Sequence, residues 1–173
     1  MDIHYRLVAG PFELCKEQTV MSERQEKSLD TVKHYMWWSG GASLIPVPWV
    51  DLVAVSGVEL KMLADLSKNY EIPFEKSRCK AAIGSLIGYI LPHAVAYGGI
   101  GQLIKAVPGV GVLAGAPAMA LFCWAYTWAL GNVFIQHFES GGTFLDFDPE
   151  KVKDYFRAKF EEGRDKPATL KTQ

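Results

Sequence analysis

Two long stretches without a formal charge constrain the fold of this sequence of 173 residues more than any other feature. Residues 81–104 contain no Asp, Glu, Lys or Arg, and residues 106–138, which follow Lys105, contain none either. A helix of about 20 apolar residues is long enough to cross the hydrocarbon core of a bilayer. Both runs exceed that length, and residues 106–109 separate them as a compact turn that contains Pro-Gly. The sequence therefore predicts an apolar helical hairpin over residues 81–138.

Glycines in this hairpin have the spacing of helix-packing motifs. Gly84 and Gly88 form one G-x-x-x-G pattern, and Gly111 and Gly115 form a second. Such spacing lets helix backbones approach closely, as membrane helices often do. Since glycine in a water-exposed helix interior costs about 1 kcal/mol relative to alanine, close packing or a lipid environment is expected to compensate. We therefore predict these four glycines to be packing positions.

Amphipathic segments flank the hairpin. Apolar residues at helical spacing predict helices over residues 17–36, 51–70 and 149–163, with Glu59 among the polar positions of the second. The first helix is expected to stop at the Ser-Gly-Gly-Ala-Ser cluster of residues 39–43. The fold class is therefore predicted to be all-α, a helical bundle built around a Gly-rich apolar hairpin with flanking amphipathic helices.

The length of the chain has room for one domain. We predict an N-terminal segment at residues 1–16, a single all-α domain at 17–163 and a flexible C-terminal tail at 164–173. A formal net charge of -1 lacks the basic character of a nucleic-acid binder, so no nucleic-acid partner is expected. Three cysteines without ligand spacing predict neither a disulfide framework nor a metal site, and favour a reducing compartment.

Basic residues flank the hairpin on both sides. Residues 61–80 contain five Lys or Arg and residues 151–166 contain six, whereas the turn has only Lys105. If the hairpin spans a membrane, this distribution places both termini in the cytoplasm, at the cytoplasmic membrane. The absence of a secretory signal pattern at the N-terminus agrees with that orientation. The alternative is a soluble cytoplasmic protein, in which the apolar runs form the buried centre of a bundle.

Residues that could carry chemistry are few. The sequence has no P-loop motif and no Ser-His-Asp, metal-ligand or paired-carboxylate constellation, so we predict no catalytic residue, no cofactor and no enzymatic activity. His93 lies deep in an uncharged run, where it either bonds a backbone carbonyl freed near Pro92 or has a proton-transfer or ligand role. Asp51 is either a helix-start carboxylate or a polar contact to a partner.

One segment resembles a known family. Residues 45–52, Ile-Pro-Val-Pro-Trp-Val-Asp-Leu, are followed by Met62 and by Asn-Tyr-Glu-Ile at 69–72. This pattern, which includes Pro46, Pro48 and Asp51, resembles domain of unknown function 697, typified by YcjF-like inner-membrane proteins. The family often stands C-terminal to GTPase domains, and this sequence departs from its pattern in having Trp49 where a glycine is usual. The resemblance implies membrane association and a GTPase partner in another chain, and it supplies no catalytic residues.

The sequence therefore predicts a non-enzymatic, membrane-associated accessory protein, with membrane lipid as one partner. Its protein partner is expected to be a GTPase or, through the apolar hairpin, a second copy of the chain. Two alternatives of other classes stay open. One is a soluble protein that conceals a membrane-inserting hairpin and releases it to form a pore or remodel the membrane. The other is a soluble homo-oligomeric assembly.

Overall fold

The computed structural model describes residues 11–42, 50–97 and 111–165, and describes their side chains over 23–39, 56–94 and 120–165. Within these ranges the structure contains five helices and no strand, which confirms the all-α class. The helices are α1 (Pro11–Ala42), α2 (Val50–Asn69), α3 (Lys76–Tyr97), α4 (Gly111–Glu139) and α5 (Pro149–Asp165).

Two of the amphipathic helices agree closely with prediction. Helix α2 begins and ends one residue before its predicted bounds, and α5 extends two residues beyond its predicted end. Asp148 caps α5, because its Oδ1 accepts a hydrogen bond from the backbone N–H of Glu150 at 3.0 Å. Local sequence signals were sufficient for both helices.

Helix α1 differs from the predicted helix 17–36 at both ends. It begins at Pro11, and it continues to Ala42 instead of ending at the Ser-Gly-Gly cluster. Ser39 is fully buried in this last part of the helix, and its hydroxyl donates to the Met36 carbonyl at 3.2 Å. Packing against the rest of the bundle therefore maintains helix through residues of low helix propensity.

Helix α4 forms the centre of the bundle. Every residue from 123 to 135 is buried, and α1 and α5 pack along its length while α2 packs against α1. The ring of Trp37 on α1 meets that of Trp124 at 5.1 Å, and Phe156 on α5 meets Tyr126 at 5.6 Å. Residues 123–135 of the second uncharged run thus lie inside the described bundle, as the soluble-bundle alternative predicts for that run.

Helix α3 packs mainly against α2 and α5. It also contacts α4, where the Tyr126 hydroxyl donates to the Ile83 carbonyl at 2.9 Å. The predicted turn at 106–109 lies outside the described residues, so the hairpin stays a prediction. Over the part of the chain that the structure describes, no helix combines the length and the apolar character needed to cross a membrane.

Candidate functional site: a buried polar junction

Five of the predicted site residues lie where little or nothing can be said of their side chains. Pro46 and Pro48 are outside the described residues. Asp51 is the second residue of α2, which agrees with its interpretation as a helix-start residue, and its contact to a partner stays a prediction. Gly111 and Gly115 belong to the first two turns of α4, and their packing role also stays a prediction.

Gly84 and Gly88 lie on an exposed face of α3. A Cβ atom placed on either glycine would meet no atom within 4 Å among the described residues. Neither glycine therefore marks a close helix crossing inside this part of the monomer. A packing role for the pair would require lipid, another chain or a part of this chain outside the described residues.

The close helix crossings that the structure shows are at two other glycines. A Cβ atom on Gly131 would overlap the side chain of Val32, so this glycine sets the approach of α1 to α4. A Cβ atom on Gly163 would lie 3.0 Å from the Cα atom of Ala125, where α5 crosses α4. Sequence analysis missed both positions because neither belongs to a paired glycine motif.

His93 connects α3 to α5. Its Nε2 lies 3.3 Å from Oε1 of Glu161, and the His93 side chain is partly buried. The structure thus gives this histidine a carboxylate neighbour on another helix. The contact links the C-terminal parts of the two helices, and a proton-transfer or ligand role stays a prediction.

The main polar feature of the interior joins α1, α2 and α4. Glu59 on α2 is fully buried, and the Thr127 hydroxyl of α4 lies 2.6 Å from its Oε1. The same Thr127 oxygen lies 2.8 Å from Ser39 Oγ on α1 and 2.9 Å from the Cys123 carbonyl oxygen. We call Ser39, Glu59 and Thr127 the polar junction.

Hydrogen counting favours a neutral Glu59. Thr127 and Ser39 each carry one hydroxyl hydrogen, which is too few for all of the short oxygen contacts in the polar junction. A protonated Glu59 supplies a third hydrogen. Burial raises the pKa of Glu59 from 4.5 to about 8, and the hydrogen bond with Thr127 opposes this effect only in part. The carboxyl group is therefore mainly protonated at pH 7.

The polar junction is not fully satisfied by the described part of the chain. Oε2 of Glu59 has no hydrogen-bond partner there, and the same is true of Nε1 of Trp124, one turn before Thr127 on α4. A buried polar atom without a partner costs about 1–3 kcal/mol. Such a junction lowers stability and fixes how three helices meet, as buried polar residues do in some helical assemblies.

Tyr126 lies beside the polar junction and is also neutral. Burial raises the pKa of its phenol far above the usual range, and the nearby Glu59 acts in the same direction. Its hydroxyl is used in the bond to Ile83 of α3. Among the residues with described side chains, no group of three His, Cys, Asp or Glu lies close enough to hold a metal ion.

Sequence analysis did not identify the polar junction. Glu59 shares the polar positions of α2 with Lys61, and only the placement of α1 and α4 around it buries its side chain. A local signal was available, because helical spacing places Glu59 on the same face as Met62, Leu63 and Leu66, which are all buried. A second indication was the polar Ser39, which was expected to end α1 and instead lies inside the bundle.

Fold and junction together define a helical bundle whose central apolar helix is enclosed by amphipathic helices and joined to two of its neighbours by interior polar bonds. The chain belongs to the family described as domain of unknown function (DUF697), whose model matches residues 13–165. It is 32% identical over 142 residues to Magnetosome membrane protein 22 of Magnetospirillum gryphiswaldense. That alignment covers 82% of this chain and 73% of the relative. No solved structure matches the chain.

These comparisons confirm the family resemblance found in the sequence. The family model that matches is that of the domain of unknown function, and the match covers almost all of the described residues. The YcjF-like character and the association with a GTPase are not tested by them and stay predictions.

Proposed function

We propose that this chain is a non-enzymatic helical accessory protein that acts at a membrane. The observation that carries the proposal is the 32% identity, over 82% of this chain, to a protein named as a magnetosome membrane protein. That alignment is long enough to include most of the helical bundle. The non-enzymatic part is supported by Glu59, because its carboxyl group is fully enclosed and out of reach of a substrate.

Cell fractionation with a carbonate wash tests this proposal. The full chain is expected in the membrane fraction, and its retention after the wash separates integral from peripheral attachment. A cytoplasmic enzyme and an integral membrane protein of the same cells are the controls. Recovery of the chain entirely with the cytoplasmic enzyme would contradict membrane association.

The accessory role requires a partner, which we propose to be a GTPase in another chain or a second copy of this chain. The family resemblance supports the GTPase. The exposed face of α3 supports either partner, since a second helix could approach closely at Gly84 and Gly88. Chemical crosslinking in cells compares Gly88→Leu with Ala158→Leu, an exposed control on α5. The crosslinked product is expected to disappear only in the first variant.

A second candidate function is the concealed membrane-inserting hairpin, and burial of residues 123–135 inside the monomer favours it. Release of α4 would expose a long apolar helix to a bilayer. Glu59 does not provide an acid trigger for release. Its pKa is raised in the folded state, so a fall in pH stabilises the folded protein through this group and opposes the release of α4. Leakage from vesicles on acidification would favour this candidate, and no leakage at any pH would count against it.

The soluble homo-oligomer is the remaining alternative, and a mass measurement separates it from the other two. Native mass determination without detergent would give a defined oligomer in that case. A monomer under those conditions excludes a stable assembly.

A further inference from the structure

Contacts between rings and side chains show which helix ends meet. Trp37 contacts Trp124 at a ring distance of 5.1 Å, which places the C-terminal part of α1 beside the N-terminal half of α4. Phe122 contacts Phe160 at 5.5 Å, and His93 contacts Glu161 at 3.3 Å. The C-terminal parts of α1, α3 and α5 therefore lie at the same end of the bundle as the start of α4.

Large apolar side chains are exposed at this end. Trp38 is 63% exposed, Trp37 46%, Leu121 43% and Leu91 41%. We call these four residues the tryptophan end. Trp38 donates its Nε1–H to Nε2 of His34 at 3.1 Å, so the polar edge of this indole already has a partner while much of its surface stays exposed. An exposed aromatic cluster of this kind indicates an interaction surface.

Three of the five helices carry no formal charge towards the tryptophan end. Residues 35–42 of α1, 81–97 of α3 and 111–138 of α4 contain no Asp, Glu, Lys or Arg. The opposite end, by contrast, carries six charged residues within 68–80 and six within 146–154. Two helices are exceptions at the tryptophan end. Helix α2 runs antiparallel to α1 and so begins there, with Asp51 in its first turn, and its Lys61 lines a cavity together with Trp38. Helix α5 ends there with Glu161 beside His93, Glu162 paired with Lys159 at 2.7 Å, and Arg164 and Asp165.

We propose that the tryptophan end docks into the interfacial layer of a lipid bilayer, with the opposite, charged end in water. This inference rests on the proposed membrane function and names the surface that carries it out. Tryptophan favours the headgroup region because its ring combines an apolar body with one polar edge. Helix ends without formal charge can enter that region at a lower desolvation cost than charged ones.

Chain connectivity favours lipid over a protein partner at this surface. The segments 43–49 and 98–110 lie outside the described residues, and both connect helix ends at the tryptophan end. Together they comprise 20 residues, and their single formal charge is Lys105. A soluble partner would favour polar and charged groups around an apolar contact, as at the rims of most protein interfaces. The chain that continues from the ends of α1 and α3 is instead almost without formal charge.

Vesicle flotation of the purified full chain tests the inference. The vesicles contain phosphatidylethanolamine and phosphatidylglycerol, and the test variant is Trp37→Ser with Trp38→Ser. Its partition coefficient is expected to fall about tenfold or more, since two exposed indoles lose their apolar contact. The matched control, Phe74→Ser with Leu145→Ser, changes two exposed apolar residues of the charged end and should leave partitioning within about twofold of the unmodified chain.

A conservative variant protects the test against misfolding. Trp37→Phe with Trp38→Phe keeps the apolar volume, and its intrinsic fluorescence is measured with vesicles that contain brominated lipid. The unmodified chain should be quenched more strongly than this variant. Equal quenching of the two proteins would overturn the inference.

The remaining outcomes separate this inference from the proposed function. If the unmodified chain does not float, membrane action itself fails. If it floats and the serine variant floats equally well, the membrane function stands and only the assignment of the tryptophan end as the lipid-binding surface is wrong. Light scattering without vesicles tests a second copy as the occupant, because an oligomer that the serine variant converts to monomer would also overturn the inference.

Discussion

Glu59 illustrates at the residue scale how burial changes the chemistry of a side chain. In water its carboxyl group would be ionised at neutral pH, whereas inside the bundle it is mainly protonated and bonds Thr127, whose hydroxyl also contacts Ser39. The ends of α2 and α4 show a different effect at the residue scale, which concerns the backbone conformation. Glu71 has a positive φ of 57° at the end of α2, where Ile72 N donates to Ser67 O and Glu71 N to Lys68 O. Gly141, with a φ of 83°, ends α4 with the same pair of bonds.

Glu59→Gln is expected to stabilise the protein by about 1–3 kcal/mol at pH 8, with a gain that shrinks towards pH 5. The pKa of Glu59 is raised to about 8 in the folded state, so the contribution of this acid is fully present below about 4.5 and is lost as pH rises through 8. Urea unfolding across this range measures the effect. The exposed control, Glu75→Gln, should change the free energy of unfolding by less than about 0.5 kcal/mol. A less stable Glu59→Gln protein at every pH would mean that an ionised Glu59 is stabilised by the fold.

Glu71→Gly is expected to raise the free energy of unfolding by up to about 1 kcal/mol, because a left-handed residue with a Cβ atom is strained and glycine is not. The reciprocal control, Gly141→Ala, should lower it by about 1 kcal/mol. Urea unfolding of the two variants provides the comparison. Changes of the same sign in both would show that backbone strain does not govern these helix ends.

At the scale of elements, the positions where helices cross closely are not those of the recognisable glycine motifs. Gly131 and Gly163 set the approach of α1 and α5 to α4, whereas Gly84 and Gly88 face away from the described bundle. The extension of α1 to Ala42 has the same origin in contacts between helices. Helix boundaries and crossings therefore depend on neighbours that local sequence does not reveal.

Two glycine-to-alanine changes are expected to have opposite signs. Gly131→Ala should destabilise the protein by about 1–3 kcal/mol, since its Cβ atom would overlap Val32 and force α1 away from α4. Gly88→Ala should stabilise it by up to about 1 kcal/mol, because it improves helix propensity and meets no atom within 4 Å among the described residues. Thermal unfolding at one pH compares them. A stabilised Gly131→Ala protein would contradict the crossing of α1 and α4.

At the scale of the whole molecule, one apolar helix is enclosed by helices whose outer faces are charged. Burial of α4 requires α1 before it and α5 after it in the chain. Folding of this part of the chain therefore depends on contacts between distant segments, and the single domain over residues 17–163 stays a prediction. The same enclosure leaves the tryptophan end as the exposed apolar region that we propose to meet lipid.

Phe156→Ala is expected to lower the free energy of unfolding by about 3–5 kcal/mol, since this fully buried ring packs on Tyr126. The neighbouring exposed control, Arg157→Ala, should cost less than about 0.5 kcal/mol. Circular dichroism and tryptophan fluorescence should report coincident transitions in both variants if residues 17–163 are one domain. Two separate transitions would show that residues 17–163 do not unfold as one domain.

The sequence by itself determined the all-α class, the bounds of α2 and α5, and the family, because apolar periodicity, the Asp148 cap and the proline-aspartate motif are local patterns. Tertiary structure alone decided that Glu59 bonds Thr127 of α4, that Gly131 and Gly163 are close crossings, and that residues 123–135 lie inside the monomer. The physical reason is that an uncharged helix has the same sequence whether lipid or other helices cover it. Only contacts between residues far apart in the chain distinguish these environments.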